Sequence, residues 1–98
     1  RIYFPFEEFV IFMEYLSSKK FDKQFAKFPK VIKYKCTEKI KIFVKNPYDE
    51  TLNNHNLGGK YEGCRSINMT GDIRIIYEIT TENIAYFLTI GSHSELYK

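Results

Sequence analysis

Arg65-Ser66-Ile67-Asn68-Met69-Thr70-Gly71-Asp72-Ile73-Arg74-Ile75-Ile76-Tyr77 decides the fold. Two segments rich in isoleucine and other strand formers meet around Thr70-Gly71-Asp72, the composition of a β-hairpin. Its register follows from its faces. A two-residue turn at Thr70-Gly71 would put Ile67 and Met69 on the side of Asp72, Arg74 and Glu78, mixing apolar and charged groups. A three-residue loop from Thr70 to Asp72 puts Ile67, Met69, Ile73, Ile75 and Tyr77 on one face. Ser66, Asn68, Arg74, Ile76 and Glu78 then share the other. Gly71 supplies the left-handed residue such a loop needs. A one-residue slip would turn every side chain over, so the segregated register is the expected one. The strands are then Gly63–Met69 and Ile73–Ile79. Asp72 sits at the tip, and Asn68 and Arg74 point toward solvent.

Working outward, Thr80-Thr81-Glu82-Asn83 reads as a turn and Ile84 to Ile90 as a last alternating strand. Gly91 to Lys98 reads as a tail that leaves the sheet. Toward the N-terminus, Tyr48 to Gly59 is polar and reads as a loop with at most one helical turn. Ile32, Cys36, Ile40 and Phe43 recur at helical spacing, with lysines on the other side. Phe21, Phe25 and Phe28 form an earlier apolar stripe, opened by Ser18 as N-cap and closed by Pro29. Glu14-Tyr15-Leu16 is a short candidate strand.

The expected architecture is α+β in two layers. An N-terminal strand and an αα-hairpin pack on a small antiparallel sheet. The 98 residues make a single domain, 1–98, with residues 1–12 (RIYFPFEEFVIF) as a possible extension and Met13 as a candidate start. This leader lacks the basic region and small-residue cleavage site of a signal peptide.

Composition narrows the class. The chain is 44% hydrophobic and carries nine Phe and eight Tyr, a content that argues against disorder. No apolar run approaches the ~20 residues of a membrane span. Cys36 and Cys64, with no CxxC, read as reduced thiols of a cytoplasmic protein rather than a disulfide or zinc site. The net charge is only +3, yet Lys19 to Lys45 holds ten lysines against Asp22 and Glu38. That local excess suits a polyanionic or acidic partner, although a solvated helix face explains the same residues.

The chemistry-bearing residues cluster in the second half. His55 and His93 are the chain's two histidines. With Asp72 they suit general acid–base work near neutral pH. Lys60, Arg65 and Arg74 can hold a phosphodiester and offset developing charge. Tyr97 can stack on a base. There is no phosphate-binding glycine loop, no GxSxG and no metal-ligand spacing. Asp72 and the acidic Asp49-Glu50 could bind a divalent ion, but nothing in their spacing demands one, so neither cofactor nor metal is expected. RNA cleavage without a metal fits this inventory best, because the ribose 2′-hydroxyl is an internal nucleophile.

The ordered set His55-Asn56-Leu57-Gly58-Gly59, Gly63-Cys64-Arg65, Gly71-Asp72 with Ile75-Ile76-Tyr77, and Gly91-Ser92-His93-Ser94-Glu95-Leu96-Tyr97 resembles the RelE/ParE superfamily of bacterial toxins. It is most similar to the YafQ-like branch, from about Met13 to the end. The resemblance implies a RelE-like fold and the toxin of a type II toxin–antitoxin system. The activity it implies is a ribosome-dependent endoribonuclease (mRNA interferase) acting at the A site of the 70S ribosome, where messenger and ribosomal RNA are its partners. It also implies neutralisation by a small acidic antitoxin, which would cover the His55–His93 cleft or displace the C-terminal segment. The free toxin is expected to be a monomer. By position, His55, Asp72 and His93 match catalytic residues of the branch, and Tyr97 matches an aromatic position that is usually phenylalanine. Asn68 stands where the branch typically has a further histidine, and Ile73 where an aromatic is common. Asn68 can bond a substrate but cannot exchange protons. A ParE-like toxin that inhibits DNA gyrase by binding, or a catalytically inactive relative, are the competing expectations.

Overall fold

A computed structural model describes residues 12–98. Of the possible extension at residues 1–12, all but Phe12 lie outside the described residues.

The first strand, β1 (Tyr15–Ser17), leads into α1 (Lys19–Ala26) through Ser18. The Ser18 hydroxyl oxygen accepts from the Phe21 amide at 2.9 Å, the expected cap. Pro29 separates α1 from α2 (Lys30–Lys45), whose stripe of Cys36, Ile40 and Phe43 is buried. Phe21, Phe25, Phe28 and this stripe pack on one face of the sheet. Burying Phe43 edge-on to Tyr77, with ring centroids 5.1 Å apart, contributes on the order of 3–5 kcal/mol against truncation to alanine.

The rest of the sheet follows in order: β2 (His55–Asn56), β3 (Arg65–Thr70), β4 (Ile73–Ile79) and β5 (Ala85–Ser92). The strand order is β1-β5-β4-β3-β2. Strand β1 pairs parallel to β5 and the others antiparallel, so the five-stranded sheet is mixed rather than purely antiparallel.

The β3–β4 register is the expected one along its length: Ile67 opposes Ile75 and Asn68 opposes Arg74. The tip differs. Thr70 opposes Ile73, so Met69 is bulged and the turn itself is Gly71-Asp72, with Gly71 at φ +53°. Ile67, Met69, Ile75 and Tyr77 are buried beneath the helices. The opposite face was expected to meet solvent and does so only in part. Cys64, Ile76 and Leu96 form a second small core there, joined by Leu57, Tyr61 and Leu88.

Two further expectations are corrected. The segment read as loop at His55–Asn56 is an edge strand, too short for a two-residue period to show. The tail does not leave the sheet at Gly91. Gly91 and Ser92 still pair with β4, and His93–Leu96 then forms a helical turn, α3. Ser92 caps it with a full capping box: its hydroxyl accepts from the Glu95 amide, and the Glu95 carboxylate accepts from the Ser92 amide at 2.8 Å. Leu96 then closes the second core. Among the described residues no helix is long and apolar enough to cross a membrane.

Candidate active site

The site is carried by the sheet face away from α1 and α2. Cross-strand neighbours share a face. His55 opposes Ser66, which opposes Ile76 of the second core, so His55 belongs to this face. Asn68 and Arg74, directly opposite each other, belong to it too.

The tip of the hairpin and the start of α3 come together. The His93 amide donates to Asp72 Oδ2 at 3.3 Å, a long bond. Arg74 lies 3.9 Å from the other Asp72 oxygen. This pairing is half-exposed and contributes at most a few tenths of a kcal/mol. Its value is geometric, since it joins three of the expected residues. The His93 imidazole lies against the Tyr97 ring with centroids 4.7 Å apart, one α-helical turn away. Tyr97 in turn meets Tyr61 edge-on at 5.4 Å, and the Tyr61 hydroxyl donates to the Leu96 carbonyl. Burial pushes the Tyr61 phenol up, with the Cys64 sulfur a smaller cause. Tyr61 therefore stays a donor and props up the helical turn that carries His93. Lys60 extends over the Tyr61 ring at 5.3 Å.

Between the edges lie Asn68 and Arg74. Asn68 Oδ1 and Arg74 Nε are buried and have no hydrogen-bond partner among the described residues. Leaving such groups unpaired costs about 1–3 kcal/mol each. A bound anion with a donor beside it would recover that cost.

His55 stands apart from the Asp72–Arg74–His93–Tyr97 group. Strands β2 and β5 are three spacings apart, about 14 Å across the strands. The two histidines do not touch. His55 Nδ1 lies 2.7 Å from the Asn53 carbonyl oxygen. A carbonyl only accepts, so Nδ1 carries the proton and Nε2 is left with its lone pair in the neutral ring. Asn53 sits at φ +47°, the left-handed turn that aims its carbonyl back at the ring.

Arg65 is on the other side. It opposes Tyr77, whose ring is buried under the helices. Its Nε donates to Asn54 Oδ1 at 2.6 Å, a second N–H donates to Asn56 Oδ1, and its guanidinium lies over Tyr48. Asn54, Tyr48 and Tyr61 were not expected in the site. The run Asn53-Asn54-His55-Asn56 was the available signal, because asparagine serves tight turns and side-chain clamps alike. Among the described residues no three His, Cys, Asp or Glu side chains group as metal ligands would.

The family model described as "Bacterial toxin of type II toxin-antitoxin system, YafQ" matches residues 13–98. The chain belongs to the YafQ toxin family. Among solved structures, a YafQ variant from E. coli superposes with TM-score 0.69 at 19% identity, covering 88% of this chain and 99% of that one. The toxin of the E. coli DinJ-YafQ toxin-antitoxin complex gives 0.68 at 21%, covering 90% and 100%. An archaeal RelE-RelB complex from Pyrococcus horikoshii gives 0.66 at 20%, covering 82% and 93%. At these identities the structures speak for the fold, which is RelE-like. No curated protein matches the chain. YafQ family membership makes it a toxin of a type II toxin–antitoxin system.

Proposed function

We propose that this YafQ-family toxin is a ribosome-dependent endoribonuclease of the cytoplasm that cuts messenger RNA by attack of the 2′-hydroxyl, without a metal. The carrying observation is the Asp72–Arg74–His93–Tyr97 group, with the unpaired Asn68 Oδ1 and Arg74 Nε beside it. An imidazole backed by an aromatic ring, a carboxylate and a half-buried guanidinium are what phosphodiester transfer needs.

The scissile phosphate binds over Asn68 and Arg74, between the two histidines. Arg74 offsets charge on the phosphoryl oxygens as it builds. Lys60 holds a neighbouring phosphate, and Tyr97 stacks a base. His55 Nε2 takes the 2′-hydroxyl proton as that oxygen attacks phosphorus. The bond from phosphorus to the 5′-oxygen breaks, and protonated His93 gives that oxygen its proton. The products are a 2′,3′-cyclic phosphate and a 5′-hydroxyl. Asp72 holds the His93 segment in place and is the alternative base. Such a nuclease needs restraint, and the E. coli DinJ-YafQ structure is a toxin-antitoxin complex. The partner here is a small acidic antitoxin that orders on binding.

The test is cleavage of a defined message on stalled ribosomes, with both new ends mapped. Cuts in the A-site codon with cyclic-phosphate ends are expected. Intact message would leave an inactive relative, which the loss of a histidine at Asn68 would explain. Inhibition of DNA gyrase by the same protein would move it to the ParE-like class.

A further inference from the structure

The charge of Arg65 suggests a phosphate ligand, but its geometry points elsewhere. Arg65 opposes Tyr77 and His55 opposes Ser66, so their side chains start on opposite faces of the sheet. The guanidinium is occupied on the helix side. It donates through Nε to Asn54 Oδ1 and through a terminal nitrogen to Asn56 Oδ1, and it rests over the Tyr48 ring at 5.4 Å. Asn54 and Asn56 are the two residues that flank His55. Asn54 is itself anchored, donating to the Tyr77 hydroxyl at 2.7 Å and to the Pro47 carbonyl at 2.8 Å.

Strand β2 has only two residues, one of them His55, and it pairs with β3 over those two alone. So short an edge ladder does not by itself fix a side chain's direction. We propose that Arg65 is the positioning residue for His55: its planar fork grips the neighbours on both sides from behind the sheet and fixes where the imidazole Nε2 points. The inference rests on the nuclease reading for its effect on rate, but not for the placement itself. Lysine would keep the charge and lose the fork, since a single ammonium cannot hold both asparagine oxygens in one plane.

The distinction is testable with Arg65→Lys, Arg65→Met and Asn56→Ala, the last on an exposed residue and so least disruptive to folding. In the isolated protein, imidazole nitrogen spectra should show His55 as one tautomer, protonated at Nδ1. All three variants should shift it toward a mixture, with thermal melts reporting an intact fold. On ribosomes, Arg65→Lys should slow cleavage about as much as Arg65→Met, of the order of 10–100-fold, with the concentration for half-maximal rate unchanged. Added to His55→Gln, Arg65→Lys should have no further effect. A near-wild-type rate for Arg65→Lys, a weakened half-maximal concentration at unchanged maximal rate, or full additivity with His55→Gln would make Arg65 a phosphate ligand and overturn the proposal. If the wild type cuts no RNA, the nuclease reading fails, and the spectra decide alone. A single unshifted His55 tautomer in all three variants would refute the clamp.

Discussion

At the scale of residues, the candidate site holds two histidines with different supports. His93 is held through its backbone by Asp72 and through its ring by Tyr97. His55 is held through its own Nδ1 by the carbonyl of a left-handed asparagine. This makes the choice of base testable. If His55 is the base, His55→Gln should lower the maximal rate about 10²–10⁴-fold, whereas Asp72→Asn, which keeps an acceptor for the His93 amide, should cost less. The reverse order in single-turnover rates would assign the base to Asp72. The cysteines test the two cores in the same way. Cys36 lies in the main core and Cys64 in the second, on opposite faces of the sheet, and neither is bonded. Burial pushes both thiols up from their ordinary value, with Glu78 adding to the effect at Cys64. Both thiols therefore stay protonated at neutral pH and above it. A thiol reagent added to the native protein at neutral pH should label them slowly, and fast once the protein is unfolded. Rapid native labelling of Cys36 would contradict the packing under α2.

At the scale of elements, the decisive one is α3. Four residues do not hold a helix without caps, and here the Ser92–Glu95 capping box and the Tyr61 hydroxyl supply them. The two Ser92 hydrogen bonds, the backbone amide's first, hold the Glu95 carboxyl below its ordinary value. The sign follows. A lowered folded value gives stability that is present above the ordinary glutamate range and is lost as pH falls through and below it. Ser92→Ala should therefore speed amide exchange at Glu95 to Tyr97 at neutral pH, by a factor matching about 1 kcal/mol of capping, while the β4 amides stay protected. Unchanged exchange would mean that Leu96 alone seats α3. This element is also where sequence and structure part. The hairpin was legible because five apolar residues segregate in only one register, and α2 because its apolar residues recur at helical spacing. The bulge at Met69 was not, since a face argument fixes the register of a ladder and not the closure of its tip. Strand β2 was hidden by its length, and α3 by reading Gly91 as an exit. A Cβ on Gly91 would meet Glu95 Oε1 at 3.0 Å, so the glycine leaves room for the capping carboxylate. The expectation for the site residues came from the order of motifs along the chain. Which face Arg65 uses, and that Tyr48, Asn54 and Tyr61 support the site, required the pairing of strands distant in sequence.

At the scale of the whole molecule, the sheet divides labour between its two faces. One is sealed by α1 and α2, which present lysines outward. The other carries the candidate chemistry. Lys39 donates to the Thr51 carbonyl and Lys41 pairs with Glu38 three residues before it, so the cationic face is tethered only loosely. If that face grips ribosomal RNA, reversing Lys33, Lys39 and Lys41 to glutamate should weaken ribosome binding at low salt. The difference should shrink as salt rises, because phosphate contacts release counterions. Equal binding at low salt would return these lysines to solvation alone. The central claim, that this YafQ-family toxin is a nuclease whose acid is His93, is met most directly by single-turnover cleavage of message on programmed ribosomes by the wild type and His93→Gln. Both should fold alike by circular dichroism. The account predicts A-site cleavage by the wild type and a rate lower by about 10²–10⁴-fold in the variant. Equal rates for the two, or no cleavage by either, would contradict it.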